Sequence, residues 1–300
     1  MKKPILILLL LIQFVAYSQV NNTDLKKLLD STRKERNDSL RILLNQQFGE
    51  SLKEMLLLPA FTFDSLRNLR IGQTASSDQK LIAYNWNIQQ NDGHNLYNCI
   101  FYLPLARKII EMPVKPSEPK IDPDSVYSGG DWPPALYYKI IAPKEKNDKY
   151  YLMLGWDRFS QQTSRKTIEA ITIANDSTVI FGKEVFKTKE GRTKRVVIEY
   201  ASTANLTLQY SKQKLTLTGV RKSQSRINDS IIVVDRLAPL NEGLEGIRWA
   251  YVPVGTTYDG YVYYKRYWTF VEGINARNPA IKGEDKKRPK RPELDLLPKE

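Results

Sequence analysis

The hydrophobic positions of residues 19–70 recur at intervals of three and four, which predicts helices. A polar residue, Asp38 or Ser39, is expected to cap the clearest helix, and Pro59 to end it. We therefore predict a helical N-terminal segment, whose apolar stripe either packs within its own protein or docks a partner. The stripe consists of Leu40, Leu43, Leu44, Phe48, Leu52, Met55 and Leu56.

From about residue 79 the hydrophobic period changes to two. Large apolar residues alternate with smaller or polar ones over residues 82–88, and Asp92-Gly93 is a turn signal before a returning strand at 96–103. Similar short runs continue to residue 271, and residues 150–156 are apolar on both faces, as in a central strand. We therefore predict a mainly β domain over residues 71–275, an antiparallel meander closed as a sandwich, barrel or small propeller.

Two segments show neither the helical period of three to four residues nor the strand period of two. Residues 113–134 contain six prolines, so we expect this excursion not to pair in a ladder, whether it is an ordered excursion or a mobile loop. Residues 276–300 carry a basic, proline-containing run at 286–292 and almost no apolar residue before Leu294. This composition predicts a disordered basic tail.

The first residues have the three-part layout of a secretory signal. Lys2 and Lys3 are followed by a short apolar run over residues 5–15, and Ala16 and Ser18 are the small residues of a cleavage site. We predict a signal peptide at 1–18 and export to the periplasm or the cell exterior. Since no second apolar run approaches membrane-spanning length, the cleaved chain is expected not to span a membrane.

The distribution of charge and the single cysteine limit the kinds of partner and of covalent cross-link that the chain can have. The formal net charge of +13 is spread along the chain rather than concentrated on one segment, and export separates the protein from nucleic acid. We predict no nucleic-acid partner and an attraction to anionic lipids or polysaccharides. Cys99 is the only cysteine, so it cannot form an intramolecular disulfide, and its alternation with Tyr97 and Phe101 predicts a buried apolar position.

The residue inventory makes several chemistries improbable. His94, the only histidine, lies beside a predicted turn, and any serine or cysteine triad would have to use it. A zinc site would have at most one imidazole, and the chain has neither a phosphate-binding nor a dinucleotide-binding glycine motif. We therefore predict no metal site, no cofactor and no assigned catalytic residue.

Carboxylate chemistry is harder to exclude. Two acidic side chains facing each other across a cleft could hydrolyse a glycosidic bond. We favour the simpler interpretation, in which the acidic residues of the β region occupy turns or pair with the plentiful lysines and arginines. These residues are Asp131, Asp157, Glu169, Glu184, Glu199, Asp235 and Asp259.

Aromatic residues are the other unusual feature, because flat rings with a polar tip suit sugars or a protein partner. Strict alternation along residues 261–271 predicts Tyr261, Tyr263 and Tyr267 on one face, and Tyr264 and Trp268 on the other. One set is expected in the core and the exposed set on a functional surface. The candidate binding residues are Tyr258, Tyr261, Tyr263, Tyr267, Trp268 and, in the proline-rich excursion, Trp132.

Four strings give the chain a family resemblance: Tyr151–Asp157, Val179–Phe186, Ile232–Pro239 and Tyr258–Gly260. Together they resemble a set of signal-bearing, β-rich proteins of Bacteroidota, over roughly residues 75–278. The resemblance implies export from a Gram-negative cell. It implies neither an activity nor catalytic residues.

These patterns together predict an exported protein of the cell envelope that is a non-enzymatic binding or structural protein. An envelope protein or a polysaccharide is its expected partner. The alternative is a carboxylate-dependent hydrolase acting on a polysaccharide.

The predicted cleavage site can be tested directly. We expect the exported protein to begin at Gln19, because signal peptidase cuts after small residues at the −3 and −1 positions. Mass spectrometry of the native exported fraction measures this terminus. A peptide spanning Ser18 and Gln19 in that fraction would contradict the prediction.

Overall fold

A computed structural model describes residues 21–118, 120–175, 177–216 and 225–276, apart from the side chain of Thr256. The predicted signal peptide and nearly all of the predicted tail lie outside these residues. The chain divides between Arg70 and Ile71 into two compact units. This division lies shortly before the change of hydrophobic period near residue 79.

The N-terminal unit contains two helices, α1 (Asn22–Lys34) and α2 (Asp38–Leu56). The predicted cap of α2 is wrong by one residue, because the Asn37 side chain accepts the amide of Leu40 at 3.1 Å. Arg41 closes the connection between the helices, with its Nε donating to the carbonyl of Glu35 at 2.9 Å. The helical prediction for this segment is confirmed.

The apolar stripe of α2 is divided by burial. Phe48, Leu52 and Leu56 are fully buried, whereas Leu40 and Leu43 are 50% and 49% exposed. Only the C-terminal part of the predicted stripe therefore serves as core. No described helix is both long and apolar enough to cross a bilayer.

The second unit is a mainly β, sandwich-like structure of three sheets, confirming the predicted fold class. The strands are β1 (Gly72–Ala75), β2 (Ile82–Gln89), β3 (Asn95–Leu103), β4 (Lys108–Pro116), β5 (Tyr127–Ser128), β6 (Leu136–Ile141), β7 (Tyr151–Asp157), β8 (Thr163–Ala174), β9 (Thr178–Phe181), β10 (Phe186–Lys187), β11 (Arg192–Thr193), β12 (Arg195–Ala201), β13 (Leu208–Thr216), β14 (Arg226–Pro239), β15 (Tyr251–Tyr264) and β16 (Tyr267–Ile274).

The order of strands in the first sheet is β1-β2-β3-β4. The second sheet has the order β5-β9-β8-β7-β6, and β12 also pairs with β8. The third sheet has the order β11-β10-β16-β15-β14-β13. All described strand pairs are antiparallel except that of β10 with β16.

The second sheet is the middle layer. Met153 and Ile171 belong to a core shared with the first sheet, whereas Leu152 and Ile168 belong to a core shared with the third. Both faces of β7 and β8 are therefore apolar, which confirms the interpretation of residues 150–156 as a central strand. Antiparallel sheets more often leave one face in water.

The proline-rich excursion is ordered, but the expectation that it stays out of every ladder is wrong. Pro113 and Pro116 lie in β4, an edge strand, where a missing amide donor is tolerated. Further along, Tyr127 and Ser128 pair with β9. Trp132 then turns into the first core, fully buried, and its Nε1 donates to the carbonyl of Pro113 at 2.7 Å.

Arg195 fastens this excursion to the middle sheet. Its side chain is completely buried, and its Nε donates to Glu169 Oε2 at 2.7 Å. Its Nη1 donates to the carbonyls of Asp122 and of Ser125, the latter at 2.8 Å. The guanidinium also lies 4.6 Å from the ring centre of Tyr127. One side chain thus joins β8, β12 and the excursion.

Replacing Arg195 is expected to destabilise the β unit strongly. Arg195→Gln leaves Glu169 buried without its ion-pair partner and frees two carbonyls of the excursion, so we expect a loss of about 3–5 kcal/mol. Urea unfolding measures this. Arg158→Gln, which removes an exposed arginine, is the matched control and should change stability by less than about 0.5 kcal/mol. Equal effects of the two substitutions would refute the assigned role of Arg195.

Candidate functional site

The turn between β15 and β16 determines which aromatic rings reach the surface. Lys265 and Arg266 form a two-residue turn with positive φ values of 48° and 67°, so Tyr264 pairs with Tyr267. The predicted face assignment is therefore wrong. It treated residues 261–271 as one strand, whereas the turn shifts the alternation and puts Trp268 on the face of the core.

Three of the six predicted binding residues are core residues. Tyr261 and Trp268 are buried between the second and third sheets, and Trp132 is buried between the first and second. The rings of Tyr261 and Trp268 pack edge to face with other aromatic residues, for example Tyr261 with Phe186 at 6.0 Å, and the ring of Trp132 is tilted against Tyr137 and Phe181. These rings are not presented to solvent.

Two others occupy intermediate positions. Tyr263 contacts the same core, and its hydroxyl donates to Asp148 Oδ2 at 2.7 Å. Burial first, and this hydrogen bond to a carboxylate second, raise the pKa of Tyr263. Tyr258 lies on the opposite face of the sheet, half-buried against Ile274 and its apolar neighbours. Both rings are therefore only partly exposed to solvent.

The sixth residue, Tyr267, belongs to a row of side chains on the outer face of the third sheet. Lys187 Nζ lies 4.4 Å and the Arg192 guanidinium 4.8 Å from the centre of the Tyr267 ring. Tyr264 continues the row on the next strand, with Lys265 Nζ 5.3 Å from its ring centre. We call Arg192, Lys187, Tyr267 and Tyr264 the basic aromatic row.

Strand pairing explains why these four residues meet. Arg192 in β11 is directly opposite Lys187 in β10, and β10 runs parallel to β16 with Lys187 beside Thr269. Thr269 and Tyr267 are two residues apart and share a face, as do the paired residues Tyr267 and Tyr264. The row therefore crosses four neighbouring strands on one face.

The surroundings of the row are rich in cations. Glu272 is engaged by Lys189 at 2.7 Å, and Glu184 lies 3.5 Å from Arg192 at an exposed position. Such exposed pairs contribute little free energy, so an anionic ligand can compete with these carboxylates for the cations. The cations that contact rings of the row are Lys187, Arg192 and Lys265.

Four of the acidic residues considered for hydrolysis pair with arginines: Asp157, Glu169, Glu184 and Asp259. Arg165 binds Asp157 through two bonds of 3.0 and 2.5 Å, with both side chains buried. Arg236 binds Asp259 at 2.5 Å, and Asp235 accepts the amide of Thr207 at 2.7 Å. Of the two expected alternatives, Asp157 and Asp259 form the ion pair rather than occupying a turn, since they lie in β7 and β15. These carboxylates do not face one another across an open cleft.

Other candidate positions are settled by burial. Cys99 is buried in the first core, as predicted, and burial raises the pKa of its thiol. His94 is exposed beside its turn, where its amide donates to Asp92 Oδ1 at 2.9 Å. The part of the chain that the structure describes holds no group of three or more metal-ligating side chains.

Sequence reasoning missed Lys187, Arg192 and Tyr264. Lys187 and Arg192 flank the turn at 189–191, and this hairpin of two short strands was the local signal available. Its position beside Tyr267 depends on the parallel pairing of Lys187 with Thr269, 82 residues further along the chain, which no local period indicates. No protein-family model, curated protein or solved structure matches the chain.

The buried carboxylate of Glu169 makes stability depend on pH. Burial raises the pKa of Glu169 to about 7, against the lowering effect of Arg195, whereas its ordinary value is 4.5. The stabilisation from this proton is fully present below about pH 4.5 and lost as pH rises through about 7. Glu169→Gln removes this stabilisation, so the melting temperature of the wild type minus that of the variant should be larger at pH 5 than at pH 8, by the equivalent of about 2–3 kcal/mol.

Thermal melts of both proteins across this pH range measure the difference. Glu184→Gln, a change at an exposed glutamate, is the control and should follow the wild-type curve. A wild-type advantage that grows from pH 5 to pH 8 would refute the assignment.

Proposed function

We propose that this protein is a non-enzymatic binding protein of the cell envelope that holds an anionic polysaccharide on the basic aromatic row. The observation that carries the proposal is the placement of Lys187 and Arg192 around the ring of Tyr267, at 4.4 and 4.8 Å. The ring positions both cations, and an acidic sugar offers the opposite charge together with a hydroxylated surface for tyrosine.

The length of the row favours an extended ligand over a small ion. Neighbouring strands lie about 4.8 Å apart, so four side chains on successive strands cover about 14 Å. Polar and aromatic contacts in one line suit a chain of repeating units. The alternative partner, an envelope protein, would be favoured by a larger apolar patch at this place.

The positive charge around the basic aromatic row supports a negatively charged ligand. Lysines and arginines outnumber acidic residues on this edge of the third sheet, and the positive net charge of the whole chain adds a long-range attraction for polyanions. The export proposed from residues 1–18 places acidic polysaccharides, rather than nucleic acid, within reach.

Polysaccharide binding by matched charge variants tests the proposal. We expect the purified protein to bind dextran sulfate or polygalacturonate, but not neutral dextran, in affinity electrophoresis. Lys187→Gln/Arg192→Gln should weaken this binding about tenfold, since each exposed charge contributes up to about 1 kcal/mol. Tyr267→Ala should weaken it as well, because the ring no longer positions the cations.

Lys80→Gln/Lys108→Gln is the control, because it removes two exposed cations, one in the loop between β1 and β2 and one in β4, and leaves the net charge equal to that of the first variant. It should change binding less than twofold. If both double variants lose the same affinity, net charge alone attracts the polymer and the proposed site is refuted.

A further inference from the structure

The outer face of the third sheet carries a second apolar cluster. Ile231, Val233 and Val262 are buried on this face, although it lies opposite the core shared with the middle sheet. Leu215 and Ile227 are a directly opposed pair near the far end of the β13–β14 hairpin, and both pack against this cluster. The end of the hairpin therefore bends over the outer face.

A cavity of about 670 Å³ lies between this end of the hairpin and the last residues of β16. Its size falls within the usual range of small-molecule sites, ~300–1,000 Å³. Leu215, Ile227, Val271 and Ile274 supply an apolar wall continuous with the buried cluster. A ligand that enters can therefore remove apolar surface from water.

The acidic side chain that lines this cavity has ion-pair partners, whereas two basic side chains that line it have none in the described part of the chain. Lys214 and Arg226 line it, and neither forms an ion pair with another residue in the described part of the chain. Glu272, the acidic residue of the lining, is already engaged by Lys189 at 2.7 Å and by Arg236 at 3.3 Å. The lining therefore has two cations available to an incoming anion.

From this combination we infer that the cavity binds a fatty acid. The acyl chain would lie on the wall formed by Leu215, Ile227, Val271 and Ile274, and the carboxylate would bind Lys214 and Arg226. An apolar body with one anionic end matches both features of the lining, whereas a sugar acid would leave the wall uncovered. The site shares no residue with the basic aromatic row, so either can fail without the other.

Calorimetric titration of the purified protein with three ligands tests the inference. Dodecanoate should bind, dodecanol should bind at least about tenfold more weakly for lack of the charge, and acetate should not bind for lack of the chain. Equal affinities for the acid and the alcohol, or binding of acetate as strong as that of dodecanoate, would overturn the inference. This comparison uses the unaltered protein and does not depend on the folding of a variant.

Substitutions then locate the site. Lys214→Gln/Arg226→Gln should lower the affinity for dodecanoate about tenfold and leave that for dodecanol unchanged, whereas Val271→Trp should weaken binding of both by covering part of the apolar wall. Lys80→Gln/Lys108→Gln is the charge-matched control and should bind normally. If Lys187→Gln/Arg192→Gln weakens dodecanoate binding as much as Lys214→Gln/Arg226→Gln does, the ligand lies elsewhere and the assignment is wrong.

The C-terminal residues are the competing occupant, since Ala276 already packs against the apolar cluster. A variant that ends at Ala276 should bind dodecanoate with unchanged affinity. An affinity about tenfold higher in that variant would identify residues 277–300 as the natural occupant of the cavity and overturn the fatty-acid assignment.

Discussion

Two arginine–carboxylate pairs inside the middle sheet are the interaction on which the β unit depends. Asp157 is directly opposite Arg165 across β7 and β8, and Glu169 is directly opposite Arg195 across β8 and β12. Because apolar cores cover both faces of this sheet, a charge left without its partner could not be solvated. A slip of one residue would separate both pairs, so they specify the register of three strands.

The same arginines order the proline-rich excursion. Arg165 Nη1 donates to the carbonyl of Glu118 at 2.9 Å, and Arg195 binds the carbonyls of Asp122 and Ser125. Each arginine thus donates hydrogen bonds both to a carboxylate on the neighbouring strand and to backbone carbonyls of the excursion. A segment unable to form a regular ladder is held by side chains of the sheet, which brings Trp132 into the first core.

Charge is used differently in the third sheet. In the middle sheet each buried cation has a carboxylate directly opposite, whereas the outer face of the third sheet places Lys187 and Arg192 around an aromatic ring. Lys214 and Arg226 line an apolar cavity on the same side of the molecule. The outer face of the third sheet therefore carries cations that no buried ion pair uses, and both proposed ligands are anionic.

The sequence by itself determined the class of structure, since the change of hydrophobic period near residue 79 separates the helices from the strands and is set by local backbone geometry. It also identified residues 150–156 as a strand buried on both sides. Only the tertiary structure decided which aromatic rings are exposed and which carboxylates are paired. The turn at Lys265 and Arg266 reversed the predicted faces, and Arg195 meets Glu169 and Asp122 across 26 and 73 residues. Local periodicity reports how a strand alternates, but the partner of a side chain depends on which strands the fold brings together.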